Sequence, residues 1–206
     1  MPLSLIGIGT FINYAKGDLG KEHLQNQIQG GLNFSSNLDN FFVAVPTIEM
    51  YAANVLHIKS ENTLGDQTKY LLVSGIVTLG VTELLKQTFN EERPDKSDNQ
   101  SFPSGHTSIA FATAAVLYYE YKDSNKFLAF SGVAFATTTA VFRVLNNKHF
   151  TSDVLVGAGV GIAITQLAYN FKPLKNWHPF KSKKRTVFMA PMYRDNAIGI
   201  ASIIRF

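Results

Sequence analysis

Residues 103–119, PSGHTSIAFATAAVLYY, decide how this 206-residue chain is read. Thr107–Tyr119 is an apolar, helix-compatible run, and Ser104 stands where an N-cap belongs. A helix starting there aims the amides of Gly105 and His106 outward, at the positive end of the dipole, which makes an anion site. Gly105 lets the backbone approach an oxyanion closely, and Ser104 can donate a hydroxyl. His106 would stand at the rim, where an imidazolium could protonate a departing alcohol. An ordinary helix start is the competing reading of the same tetrapeptide.

Two further clusters flank it. Lys86 and Arg93 lie seven residues apart, about two helical turns, so they can share a face of a helix that Pro94 would stop. The stretch 95–100, DKSDNQ, then reads as a polar loop. On the other side, Arg143 precedes His149 by six residues across a turn-like Asn146-Asn147-Lys148. If His149 and Asp153 share a helix, their i, i+4 spacing stacks them, and Asp153 can accept the proton of one ring nitrogen and leave the other free as a nucleophile. Asp153 could equally serve as the acidic residue favoured at a helix N-terminus, and the two roles are compatible.

Together the clusters supply three fixed cations, two imidazoles and a carboxylate. That set suits a tetrahedral oxyanion that must be gripped, attacked in line and relieved of its leaving group without a metal. The order K-x6-RP, PSGH, R-x5-H-x3-D resembles the type 2 phosphatidic acid phosphatase superfamily, which includes the class A bacterial acid phosphatases and the vanadium haloperoxidases. The resemblance spans Lys86 to Asp153. It implies an all-α bundle with the site among its core helices, and phosphate bound by Lys86, Arg93 and Arg143 with Ser104 and Gly105 assisting. It makes His106 the general acid, His149 the nucleophile that carries a phosphohistidine, and Asp153 the residue that orients His149. The family's third motif usually begins Ser-Arg, whereas Phe142 precedes Arg143 here, so one side-chain donor is missing.

The expected function is hydrolysis of a phosphate ester, a phosphorylated lipid before a soluble monoester, with no metal or cofactor and no nucleic-acid partner. A haloperoxidase and a non-catalytic phospholipid-binding envelope protein rank lower. A phosphorylated lipid or small phosphoester, and a membrane surface, are the partners implied.

Composition frames the setting. The apolar runs Tyr70–Thr82, Gly105–Tyr119, Phe127–Phe142 and Val154–Phe171 mostly fall short of the roughly 20 residues of a spanning helix. With mean hydropathy of only +0.03, they read as buried core helices of a soluble or peripheral protein on the periplasmic side of a bacterial envelope. Gly157 and Gly161 form a small-xxx-small pair that lets helices approach. With no cysteine, disulfides and thiolate metal sites are excluded. Pro2–Ile12 is apolar without a basic leader or cleavage site, and reads as a helix of the domain or the start of a chain whose export signal is gone. Leu24 and Ile28 suggest a short amphipathic helix broken at Gly30-Gly31. Lys181, Lys183, Lys184 and Arg185 form a basic cluster read as a solvated linker. One helical domain over 1–185 is expected, then a strand-like tail over 186–206 forming a β-hairpin packed on it.

Overall fold

The computed structural model describes residues 1–31 and 34–180, and the backbone of 186–194 and 197–205. The helices are α1 (Pro2–Tyr14), α2 (Lys21–Gln29), α3 (Asp39–Phe42), α4 (Val45–Val55), α5 (Leu64–Phe89), α6 (Gly105–Tyr121), α7 (Lys126–Leu145), α8 (Thr151–Asn170) and α9 (Lys172–Asn176). After them, β1 (Thr186–Arg194) and β2 (Ala197–Arg205) pair antiparallel, Thr186 opposite Arg205. The basic cluster at 181–185 lies outside the described residues.

Helix α6 is the axis of the bundle. Ala110, Ala112, Ala114, Val116 and Leu117 are fully buried on it, and α5, α7, α8 and α4 pack around it. Small side chains on α6 permit close neighbours, and α8 answers with glycine. A methyl group at Gly157 would collide with the Ser104 carbonyl, and one at Gly161 with the Ser108 carbonyl. The pair does what its spacing implies: it brings α8 against the first turns of α6, so that Ser104 N donates to Asp153 O at 3.1 Å. Helix α1 lies on α8, as expected of a domain helix. Helix α2 ends at Gly30, as its sequence implies.

The expectation of buried core helices in a soluble or peripheral protein needs correction. It describes α6 but not α5 or α7. Helix α5 has 26 residues, α7 has 20 and α8 has 20, each with an 18-residue window of mean hydropathy between 1.3 and 1.6. All three are long and apolar enough to cross a bilayer. Only 28% of that window is buried in α5 and 33% in α7. Helix α5 is inverted: Gln67, Lys69, Ser74, Thr78, Thr82 and Lys86 face inward with Tyr70. Leu72, Ile76, Val77, Leu79 and Leu84 face outward. The inward polar residues cut the apolar run short in the sequence and lower its average, which is why the span escapes a reading by run length.

Candidate active site

The three clusters converge at one end of the bundle. Helix α5 stops at Phe89, where Asn90 takes a left-handed conformation (φ 43°) as its C-cap. Arg93 therefore lies beyond the helix, and the expectation that it shares a helical face with Lys86 is corrected. The chain reverses at Asn90 four residues before the proline, and the loop delivers Arg93 instead. Two carboxylates tie that loop. Asp98 Oδ1 accepts from Arg93 Nε at 2.6 Å and from Gln100 N at 2.8 Å, while Asp95 receives Lys148 Nζ at 2.6 Å.

His149 sits just before α8, 1% exposed, and its ring has a definite polarity. Arg93 Nη1 lies 3.3 Å from Nε2 and can only donate, so Nε2 is an acceptor. The proton then resides on Nδ1, which donates to Asp153 Oδ2 at 3.3 Å. Asp153 does not share a helix with His149, because α8 begins at Thr151, but the i, i+4 contact forms all the same. The carboxylate is itself fixed: Oδ2 also accepts from Ser101 Oγ at 2.5 Å and from Phe150 N at 2.9 Å. Asp153 thus fills both roles that the sequence left open, orienting the imidazole and closing the first turn of α8.

Ser104 is the N-cap residue of α6 and fully buried. Its hydroxyl accepts from Thr107 Oγ1 at 3.0 Å. Lys86 donates to the Gln100 carbonyl, and its side chain runs alongside Gly105, whose Cβ position lies 3.8 Å from Lys86 Cε. Arg143, on the last turn of α7, donates from Nη1 to Asp39 Oδ2 at 2.9 Å. Its Nε is buried and, among the described residues, has no partner. A buried guanidinium donor without a partner, beside two further cations, has the chemistry to bind an anion. His106 Nε2 donates to Asn40 Oδ1 at 2.9 Å. Arg93 and Arg143 both act electrostatically on His106 and on His149, lowering the pKa of each. Phe142 points elsewhere, into a cluster with Phe34 and Phe42 at ring distances of 5.0 and 5.8 Å.

Charge and burial set the protonation states. Burial, more than the push of Arg143 and Arg93, holds the His149 pKa down to about 4 against the pull of Asp153, so the ring is neutral at ordinary pH. His106, in the first turn of α6, is also held below the usual histidine value, by burial and then by Arg143. The sequence reading missed Asp39, Asn40, Asp98 and Ser101. Asp98 lay within the stretch read only as a polar loop, and none of the four sits at a spacing that points to the clusters.

A model of the PAP2 superfamily matches residues 67–177, a stretch that ends before β1. A lipid A 1-phosphatase of Porphyromonas gingivalis is 32% identical over 146 residues, covering 68% of this chain and 32% of that protein. The chain therefore spans about a third of the length of that relative. The crystal structure of Aquifex aeolicus LpxE superposes with a TM-score of 0.53 at 24% identity, over 72% of this chain and 93% of that one. A transmembrane PAP2-type phosphatidylglycerolphosphate phosphatase from Bacillus subtilis gives 0.54 at 18% identity, over 87% and 98%.

Proposed function

The chain belongs to the PAP2 superfamily, and on that premise we propose that it is a membrane-embedded phosphatase that hydrolyses a phosphorylated lipid through a phosphohistidine. The single observation that carries the reading is the polarity of the His149 ring, with Nε2 unprotonated beside Arg93 and Nδ1–H directed at an anchored Asp153. In the first step Nε2 attacks phosphorus in line while His106 protonates the departing oxygen. In the second, His106 takes a proton from water, which releases phosphate from His149. Charge on the equatorial oxygens is met by Lys86, Arg93, Arg143 and the amides opening α6.

The lipid part of the proposal rests on the outer faces of α5 and α7. These helices present leucine, isoleucine and phenylalanine where a soluble acid phosphatase would present charge. An apolar crevice of about 510 Å³ between α1, α7 and α8 is lined by Val141, Val144 and Val154. It offers room for an acyl chain. With α5, α7 and α8 spanning the bilayer, the site lies at one membrane face, and the periplasmic face fits an envelope lipid.

The test is phosphate release by the purified chain in detergent with chelator present, on a panel of long-chain lipid phosphates and soluble monoesters. Preference for the lipid esters, abolished in His149→Ala, is expected. Turnover of soluble esters alone would reject the lipid assignment, and bromide oxidation with vanadate and peroxide would replace the phosphatase reading with a haloperoxidase.

A further inference from the structure

The one-turn helix α3 has two opposed faces. Toward the site, Asp39 is 1% exposed and holds Arg143, while Asn40, itself exposed, accepts from His106. Outward, Leu38 and Phe41, three residues apart and so on one side of the turn, are 50% and 69% exposed. Phe42 moors the element on α7, with its ring 5.7 Å from Phe135 and 5.8 Å from Phe142.

We propose that α3 is a bilayer contact that couples lipid to the site: Leu38 and Phe41 insert among acyl chains while Asp39 and Asn40 hold Arg143 and His106 in working position. The inference rests on the reading of the chain as membrane-embedded. The occupant of the apolar face is lipid because that face continues a lipid-facing surface. Helix α7, on which α3 is moored, exposes Phe130 and Val141, and α4, next in the chain, exposes Ile48 and Val55, with Leu56 exposed just past its end. Rigid attachment to α7 also fixes α3 near the end of a spanning helix, where apolar side chains beside polar ones occupy the interface. A soluble protein partner would have to displace lipid from that same continuous surface.

Two measurements test this. The chain has one tryptophan, so Phe41→Trp in a Trp177→Phe background places a single reporter on α3. In vesicles with brominated acyl chains its emission should fall about threefold relative to unbrominated lipid; unchanged emission overturns the insertion. Separately, Phe41→Ser should lower kcat/KM on a long-chain lipid phosphate in vesicles about fivefold and leave turnover of a water-soluble short-chain lipid phosphate by the detergent-solubilised chain, where no bilayer engages α3, within about twofold of the parent. Equal losses on both substrates, or none on either, overturn the coupling. A parent chain inactive on both substrates would sink the phosphatase reading instead, while the emission still reports whether α3 inserts.

Discussion

Lys69 and Lys86 occupy the same inward face of α5, near its two ends, and their surroundings could hardly differ more. Lys69 Nζ donates to Asp66 at 2.9 Å, to the Leu174 carbonyl at 3.0 Å and to the Trp177 carbonyl at 2.8 Å, which uses all three of its protons. Close by, Glu120 accepts from Asn62 N, Asn62 Nδ2 and Tyr169 Oη, and Tyr169 is stacked between Tyr70 and Tyr119. That end is closed and neutralised. Lys86, by contrast, reaches one carbonyl and, among the described residues, no carboxylate. Around it Arg93 and Arg143 are paired with Asp98 and Asp39, the Asp153 carboxylate is taken up by Ser101, His149 and Phe150, and among the described residues Arg143 Nε is unpaired. Burying a cation without a counter-ion is costly. The bundle therefore leaves Lys86 and one donor of Arg143 without a direct anionic partner at one end, and under the proposed function an incoming phosphate supplies it. One end holds the fold together, and the other is proposed to hold a ligand site at the expense of stability.

The contrast can be broken by substitutions, and the largest effect should come from His149. His149→Ala should lower kcat by about four orders of magnitude while the chain stays folded, with some loss of thermal stability from the vacated buried ring and the donor lost to Asp153. Comparable activity in the variant would remove the nucleophile from the site end. Asp153→Asn should cost about a hundredfold or more, since an amide no longer favours the Nδ1–H tautomer and offers donors where Oδ2 now receives three.

Exchanging the two lysines sharpens the comparison. Lys86→Met should lower kcat/KM about a hundredfold and leave the melting temperature level or higher. Lys69→Met should leave kcat within about twofold while costing about 3 kcal/mol, because Asp66 and two carbonyls lose a buried donor. Reversed outcomes, with Lys69 governing rate and Lys86 stability, would contradict the division between the two ends.

A pH profile gives the smallest effect. In the free enzyme the acid limb of kcat/KM should fall near pH 4, where His149 gains a proton and loses its attacking lone pair. The alkaline limb should fall below the ordinary histidine range, because His106 must remain protonated and its pKa is lowered. The optimum of kcat/KM thus lies on the acid side of neutrality. Bound phosphate, being anionic, raises both pKa values, so the kcat profile should be displaced upward in pH. A kcat/KM optimum above pH 8 would exclude His106 as the acid.

Much of the site was legible because its chemistry is carried by short stretches with local logic. The PSGH helix start, the i, i+4 pair and the glycine spacing on α8 each encode geometry within a few residues. What escaped depends on distant parts of the chain. Asp39 and Asn40 are 104 and 66 positions from the residues they bond, and nothing local in their stretch points there. The ends of α5 also eluded the pattern, since Asn90 terminates the helix by a left-handed turn that no proline or glycine announces. The apolar outer faces of α5 and α7 were hidden for a different reason. A helix with polar residues inside and apolar ones outside has an unremarkable average, and only the placement of its faces shows that it is long and apolar enough to cross a bilayer.

The most direct test of the account is to trap the covalent intermediate. Mixing the chain with lipid phosphate labelled on phosphorus, quenching in alkaline denaturant within milliseconds and mapping the label by mass spectrometry should find phosphate on His149, with none in His149→Ala. Label persisting in that variant, or rapid turnover with no histidine ever labelled, would contradict it.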